Sequence, residues 1–459
     1  SMGEAAKISL KAIGKQDTYL LSKDPEDSFF NYTSPKQHSE FRKYHRVKDV
    51  LNPGQIGNWP FGQTIKVQFN PTNMGDLLSN MWLSVTMPGI TDGNYADQLG
   101  RHLLKSITMF VDDIEVEKIH DDWGIIYDEL YLEMSEKVAN RFLVNRGLGY
   151  DESTQNATIA RSKSDLVIPL HFFFSRKYAS DEYSSNKPNR PYFPVCAAFR
   201  QKIEFELEFH EQTFFTDTGP TLFLPLFKLI TEEITVSAEE RLYLKNGKHT
   251  LVTDLVRKHP TVVSELNTNI IKNNLVPNIP VKCIHWFLRN TDFEIENISV
   301  GVPPGDPEET YYSQNRFNFS SNVNFDQLQT FFNPIMESAS FFVNGKKLPN
   351  ITKTNHNYYK YLIPSKNRLA RPFRNIYTYS FSMNPINVEP SGNLDFSQIQ
   401  SDKTNIEVIL DTSPGSLVDI ATKTYSLHMY YTGYQTFIFE NGKMTVIDTR
   451  NIDEPLPLE

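Results

Sequence analysis

Ile203-Glu-Phe-Glu-Leu-Glu-Phe209, written IEFELEF, alternates apolar and acidic residues without a break. Successive side chains of an extended chain point to opposite faces, so Ile203, Phe205, Leu207 and Phe209 share one face and three glutamates share the other. This is the pattern of a half-buried strand in an antiparallel sheet. The same period recurs on both sides of it. Thr64-Ile-Lys-Val-Gln-Phe69 sets Ile65, Val67 and Phe69 against Lys66 and Gln68, and Tyr377, Tyr379, Phe381 and Met383 alternate with Thr378, Ser380 and Ser382.

The punctuation agrees with strands. Asp92-Gly93, Asn246-Gly247, Asn344-Gly345 and Asn441-Gly442 offer residues that accept the positive φ of a tight hairpin. Phe341-Phe-Val-Asn-Gly-Lys-Lys347 is the clearest of these hairpins. One helix is expected, from about Tyr127 to Leu143, where Leu130, Met134, Val138 and Phe142 recur every fourth residue and should lie on a sheet. A βαβ rhythm is absent, which excludes a doubly wound parallel fold.

At 459 residues the chain exceeds what one core usually supports, so two domains of roughly 200 residues each are expected. The expectation is all-β: two successive antiparallel sandwiches. Their junction should fall at 240–255, where strand-like Lys228 to Val236 gives way to the charged, helix-compatible Ser237 to Gly247. The ranges that follow are an N-terminal arm 1–40, a first sandwich 41–245, a second 246–450 and a tail 451–459.

Composition narrows the function. A formal net charge of −9 argues against direct nucleic-acid binding, which needs a Lys/Arg excess to neutralise phosphates. Cys196 and Cys283 are the only cysteines, each among apolar neighbours, so buried reduced thiols are expected rather than a disulfide framework. Neither a bilayer-crossing apolar run nor a signal pattern occurs, so a soluble protein made in the cytosol is expected. The five sequons at Asn31, Asn156, Asn297, Asn318 and Asn350 are read as chance in an Asn-rich chain.

Each candidate for chemistry has a plainer reading. Gly57-Asn-Trp-Pro-Phe-Gly-Gln-Thr64 lies one residue from a phosphate loop. Gln63 replaces its lysine, Pro60 removes an amide, and a strand follows where a helix is required. Asp92-Gly-Asn-Tyr-Ala-Asp97 opens like a calcium loop, but Leu103 stands where a bidentate Glu is needed. His120-Asp121-Asp122 is read as solvated loop charge, and His210-Glu211 is no stronger a candidate. Cys283-Ile-His285 is read as a buried pair on one strand face. His-x-His and G-x-S-x-G do not occur, so neither a cupin-type metal site nor a hydrolase triad has an anchor.

Particular residues then say more than periodicity. Asn375-Ile-Tyr-Thr-Tyr-Ser-Phe-Ser-Met-Asn-Pro385, followed by Glu389-Pro-Ser-Gly-Asn-Leu-Asp-Phe-Ser397, closely resembles a segment of the major capsid proteins of nucleocytoplasmic large DNA viruses. That segment has the form N-I-Y-x-Y-S-F-A-L-x-P…P-S-G-x-x-N-F-S, with Met383 here in place of Leu and Asp395 in place of Asn. Phe61-Gly-Gln63, Leu104-Lys-Ser-Ile107 through Trp123 to Leu130, Leu166 to Phe174 and Val195 to Phe209 resemble further family stretches in the same order. Met429 to Tyr434 stands where the family has a closing strand.

The resemblance spans roughly residues 55–445 and implies a double jelly roll of two eight-stranded antiparallel sandwiches with short loop helices. It implies trimers with a pseudo-hexagonal outline that tile an icosahedral shell, and no catalytic, cofactor-binding or metal residues. Expected partners are neighbouring capsomers, minor capsid and penton proteins, and an internal membrane reached through the arm 1–40. The expected location is the virion capsid, after synthesis in the host cytoplasm. Loops 144–164, 175–194 and 301–322 are candidates for the outer surface. The alternatives are a related scaffold protein of immature particles and a carbohydrate-binding jelly-roll protein.

Overall fold

Ile203–Phe209 is a strand whose four apolar residues are buried, while Lys66 reaches Glu206 at 3.6 Å and Lys105 reaches Glu208 at 3.7 Å on its polar face. The computed structural model describes residues 42–51, 60–144 apart from 94 and 97, 162–176, 192–216, 218–222, 226–294, 315–321, 333–351, 354–386 and 390–447. The arm 1–40, the tail 451–459 and most of the three long loops lie outside these residues, as do Asn31, Asn156, Asn297 and 57–59.

Two four-stranded antiparallel sheets form the first sandwich. One has the order β1 (Arg42–Asp49), β8 (Lys228–Thr235), β3 (Leu77–Met87), β6 (Ser164–Pro169). The other has the order β2 (Thr64–Phe69), β7 (Ile203–Phe209), β4 (Leu104–Val111), β5 (Ile114–His120). Consecutive strands cross mostly from one sheet to the other, which is jelly-roll wiring.

The second sandwich repeats it. Its sheets are β10 (Val262–Val263), β17 (Tyr425–Glu440), β12 (Val281–Asn290), β15 (Tyr377–Ser380) and β11 (Ile270–Asn274), β16 (Asn405–Leu410), β13 (Met336–Val343), β14 (Lys346–Leu348). Adding nine to every strand number of the first pair gives the second pair. The chain is therefore two jelly rolls of identical strand order, with β9 (His249–Lys258) and β18 (Lys443–Ile447) added alongside β17.

β17 is sixteen residues long because it serves two neighbours. Its first half pairs with β12, and its second half pairs with β9 and β18 and carries Phe437 and Phe439 into the first sandwich. There Phe437 lies 5.7 Å from Phe173 and Phe439 lies 5.7 Å from Phe193, centroid to centroid. Gly433 sits where the halves join, and a Cβ on it would meet the Pro280 carbonyl oxygen at 2.4 Å, so only glycine fits this approach.

Local expectations met mixed outcomes. Asn344-Gly345 and Asn441-Gly442 have both φ values positive and close the hairpins β13–β14 and β17–β18. Asn246-Gly247 is not a hairpin, because Asn246 ends a helix that runs from Ala238 and is capped by the Ser237 hydroxyl. Asp92-Gly93 turns in the connection between β3 and the short helix α1 (Leu99–Leu103), not between paired strands. The alternation from Tyr377 stops being a strand after Ser380, and Met383 is 87 % exposed.

The helix expected over Tyr127–Leu143 is two helices, α2 (Asp121–Leu130) and α3 (Met134–Leu143). Glu133 caps the second one, with the Glu136 carboxylate closing a capping box. Leu130 of the apolar stripe is buried, but Met134, Val138 and Phe142 are exposed, which corrects the reading that this face lies on a sheet.

Candidate functional site

β12 and the first half of β17 lack the wet face that an antiparallel strand usually keeps. All ten residues of β12 are buried. Ile284, Trp286 and Leu288 face the core of the second jelly roll, so Cys283, His285, Phe287 and Arg289 must face the other way. In β17, Leu427, Met429 and Tyr431 face that core, while His428 and Tyr430 point outward with them. What they meet is the first jelly roll.

The first jelly roll presents α2 to this seam. Every residue of α2 is buried, including Asp121, Asp122, Asp128 and Glu129. Four buried carboxylates on one helix would be untenable without partners. Asp121 and Asp122 stand at the helix N-terminus, where the backbone dipole favours negative charge.

Their main partners come from far along the chain. The Asp122 and Arg289 side chains, each 1 % exposed, meet at 2.5 Å. Asp121 Oδ2 lies 3.0 Å from His210 Nε2 and 3.4 Å from Arg316 Nη2. Glu294 takes both guanidiniums, at 3.0 Å from Arg289 and 2.7 Å from Arg316, and lies 2.5 Å from His428 Nε2. The Tyr430 hydroxyl donates to Asp122 Oδ2 at 3.3 Å. Three carboxylates, two guanidiniums, two imidazoles and a phenol thus form one network across the seam.

Electrostatics follow from that arrangement. Burial alone would raise the Asp121 carboxyl, but Arg316, the His210 contact and Arg289 hold it well below the usual carboxylate range. Burial likewise opposes ionisation of Glu294, and Arg289, His428 and Arg316 reverse it. For histidines burial favours the neutral form: it pushes His102 and His285 down to about 3 and His120 to about 4.

Further contacts extend the seam. Asp128 is held by Arg101 through Nε at 2.9 Å and Nη2 at 3.1 Å. Glu129 accepts from the Phe373 and Arg374 amides at 2.6 and 3.3 Å. Glu117 of β5 accepts from the Phe173 and Val256 amides, both at 2.9 Å, and pairs with Arg176. Arg241 grips Asp76 with two bonds of 2.8 and 3.0 Å, fixing the linking helix α4 (Ala238–Asn246) to the first jelly roll.

Several sequence readings change here. His120-Asp121-Asp122 is not solvated loop charge, because its two carboxylates are buried in the seam network. His210 joins the same network through Asp121, whereas Glu211 stays exposed. Cys283 and His285 are buried with Sγ 3.4 Å from Nε2, and burial raises the thiol and lowers the imidazole, so both stay neutral rather than forming a thiolate–imidazolium dyad. Cys196 is buried, its thiol pushed up to about 12. Gly57 to Thr64 ends in a turn with Gly62 at φ +72°, then β2. Asn318 is buried, and Asn350 is exposed.

Nothing in the sequence groups Arg289, Arg316, Glu294, Glu117 and Arg176. The available signal is Lys282 and Arg289 flanking the mostly apolar run Cys283–Leu288: a strand with charge but no alternation packs on both faces.

Known proteins share this architecture. Residues 39–213 match the family model described as major capsid protein N-terminus, and residues 240–444 match that of the large eukaryotic DNA virus major capsid protein. The chain belongs to the major capsid proteins of large eukaryotic DNA viruses. The major capsid protein of Paramecium bursaria Chlorella virus 1 is 19 % identical over 461 residues, covering 94 % of this chain and 97 % of its own. The quasi-atomic PBCV-1 virus capsid structure shares the fold with a TM-score of 0.68 and 17 % identity, covering 91 % of this chain and 99 % of its own. The Faustovirus major capsid protein gives 0.63 at 10 % identity, covering 96 % and 98 %. As a capsid protein the chain has a structural role and belongs to the virion shell. Its seam carboxylates face arginines and amides, as an interface between two jelly rolls requires.

Proposed function

We propose that three copies close into a pseudo-hexagonal capsomer that tiles an icosahedral shell. The observation that carries this reading is the nine-strand offset between two jelly rolls of identical order. Three chains would then contribute six similar units around one axis, and closed rotational symmetry uses each contact surface fully. The buried seam supports the reading because tiling needs both jelly rolls of a chain held at one angle. The division into 1–40, 41–245, 246–450 and 451–459 belongs to the same proposal. So do contacts of the capsomer with neighbouring capsomers, minor capsid and penton proteins, and of the arm with an internal membrane. Synthesis in the host cytoplasm and the absence of direct nucleic-acid binding complete it.

Light scattering coupled to size-exclusion chromatography should give three times the 53.0 kDa chain mass. A stable monomer at micromolar concentration would sink the capsomer. Recovery of the chain as the most abundant protein of purified particles would separate this role from that of a discarded scaffold.

A further inference from the structure

A lysine and an asparagine face each other inside the second jelly roll in a way the assembly role does not use. Lys360 belongs to a helical excursion, and Asn375 stands just before β15; both side chains are 1 % exposed. Lys360 Nζ lies 2.8 Å from Asn375 Oδ1 and 3.1 Å from the Phe373 carbonyl oxygen. The amide cannot be turned round without loss, because Asn375 Nδ2 donates to the Phe319 carbonyl oxygen at 3.0 Å. The carbonyl end is therefore the one offered to the amine.

The surroundings favour nucleophilic chemistry. Burial lowers the Lys360 ammonium to about 8, so an appreciable fraction is free amine near neutral pH. Glu129, from α2 of the first jelly roll, holds the Phe373 and Arg374 amides and thereby fixes the segment leading to Asn375. Its charge favours the Lys360 ammonium and so works against the effect of burial, which prevails. Amine and amide are thus pre-positioned in a site shielded from water, which is where proximity accelerates acyl transfer most.

We propose that Lys360 and Asn375 join in an intramolecular isopeptide bond. The Nζ lone pair forms a bond to Asn375 Cγ, and the Cγ–Nδ2 bond breaks with its electron pair staying on nitrogen. That nitrogen takes one proton from Nζ and leaves as ammonia. An amine and a primary amide become a secondary amide and ammonia, so neither oxidant nor co-reactant is needed. The bond closes the loop from 360 to 375 and ties the helical excursion to the foot of β15 beside the seam. Lys282 makes a useful contrast, since its ammonium meets the Asp254 carboxylate at 3.2 Å in a plain buried ion pair.

Intact-mass spectrometry of the folded full chain decides the matter. The expected mass is below the sequence mass by one ammonia, about 17 Da, and a digest should contain one branched peptide joining residues 360 and 375. Lys360→Met should restore the full mass. Asn375→Ala, which keeps the amine and removes the acyl group, should likewise leave the full mass. Folded wild-type protein that keeps its full mass after prolonged incubation at pH 8 overturns the bond. A loss of one water instead, mapped to Lys282 and Asp254, overturns its placement.

Discussion

Asp122 has Arg289 at 2.5 Å and the Tyr430 hydroxyl at 3.3 Å, all three buried, so it is the residue at which the seam is most exposed to mutation. Removing one partner of a buried pair strands the other charge, which typically costs about 3–5 kcal/mol, whereas removing both can be nearly neutral. Asp122→Ala should therefore destabilise the chain by that amount in urea unfolding. The Asp122→Ala/Arg289→Met double variant should recover much of the loss, and strictly additive effects would show that the two do not act as a pair. The pair was hidden from the sequence for a physical reason. Asp122 and Arg289 are 167 positions apart, and adjacent acids after a strand look the same whether water or arginine awaits them.

Elements differ in how much of themselves the sequence displays. β7 was legible because one wet and one dry face write themselves as period two. β12 and the first half of β17 were legible as strands, but their second buried face could not be assigned without knowing that another jelly roll covers it. The Met134, Val138, Phe142 stripe of α3 has helical spacing yet stays exposed, since spacing reports a helix and not what covers it. Stability should follow the contacts rather than the spacing. Val138→Gln should change unfolding free energy by no more than about 0.5 kcal/mol. Phe437→Ala, which empties the contact of β17 with Phe173, should cost about 3–5 kcal/mol. Comparable losses in both would mean that α3 is covered in the folded monomer.

At the scale of the whole molecule the seam concentrates groups whose protonation differs between folded and unfolded chains. His102 and His285 have folded values of about 3, below the ordinary imidazole value of about 6.5. His102 packs against Phe214 and Phe317, and His285 lies between Tyr131 and Thr378, so neither has room for a hydrated charge. Because their folded values are depressed, the unfolded chain binds protons first as pH falls. Their stabilisation is complete above about pH 6.5 and declines between there and their folded values. At pH 5 each should have lost on the order of 2 kcal/mol. Asp121 and Glu294 are also depressed, so their contribution persists until pH falls below the unfolded carboxylate range near 4, and then it too is lost. Thermal unfolding of the assembled protein should thus show a midpoint that drops from pH 7 to 5 and drops again below 4. His285→Gln should flatten the first limb by about one proton's worth of slope while leaving the second intact. A midpoint unchanged between pH 7 and 5 would mean that the imidazoles gain protons without opening the seam, and the account of two jelly rolls locked by dry histidines and paired charges would fail.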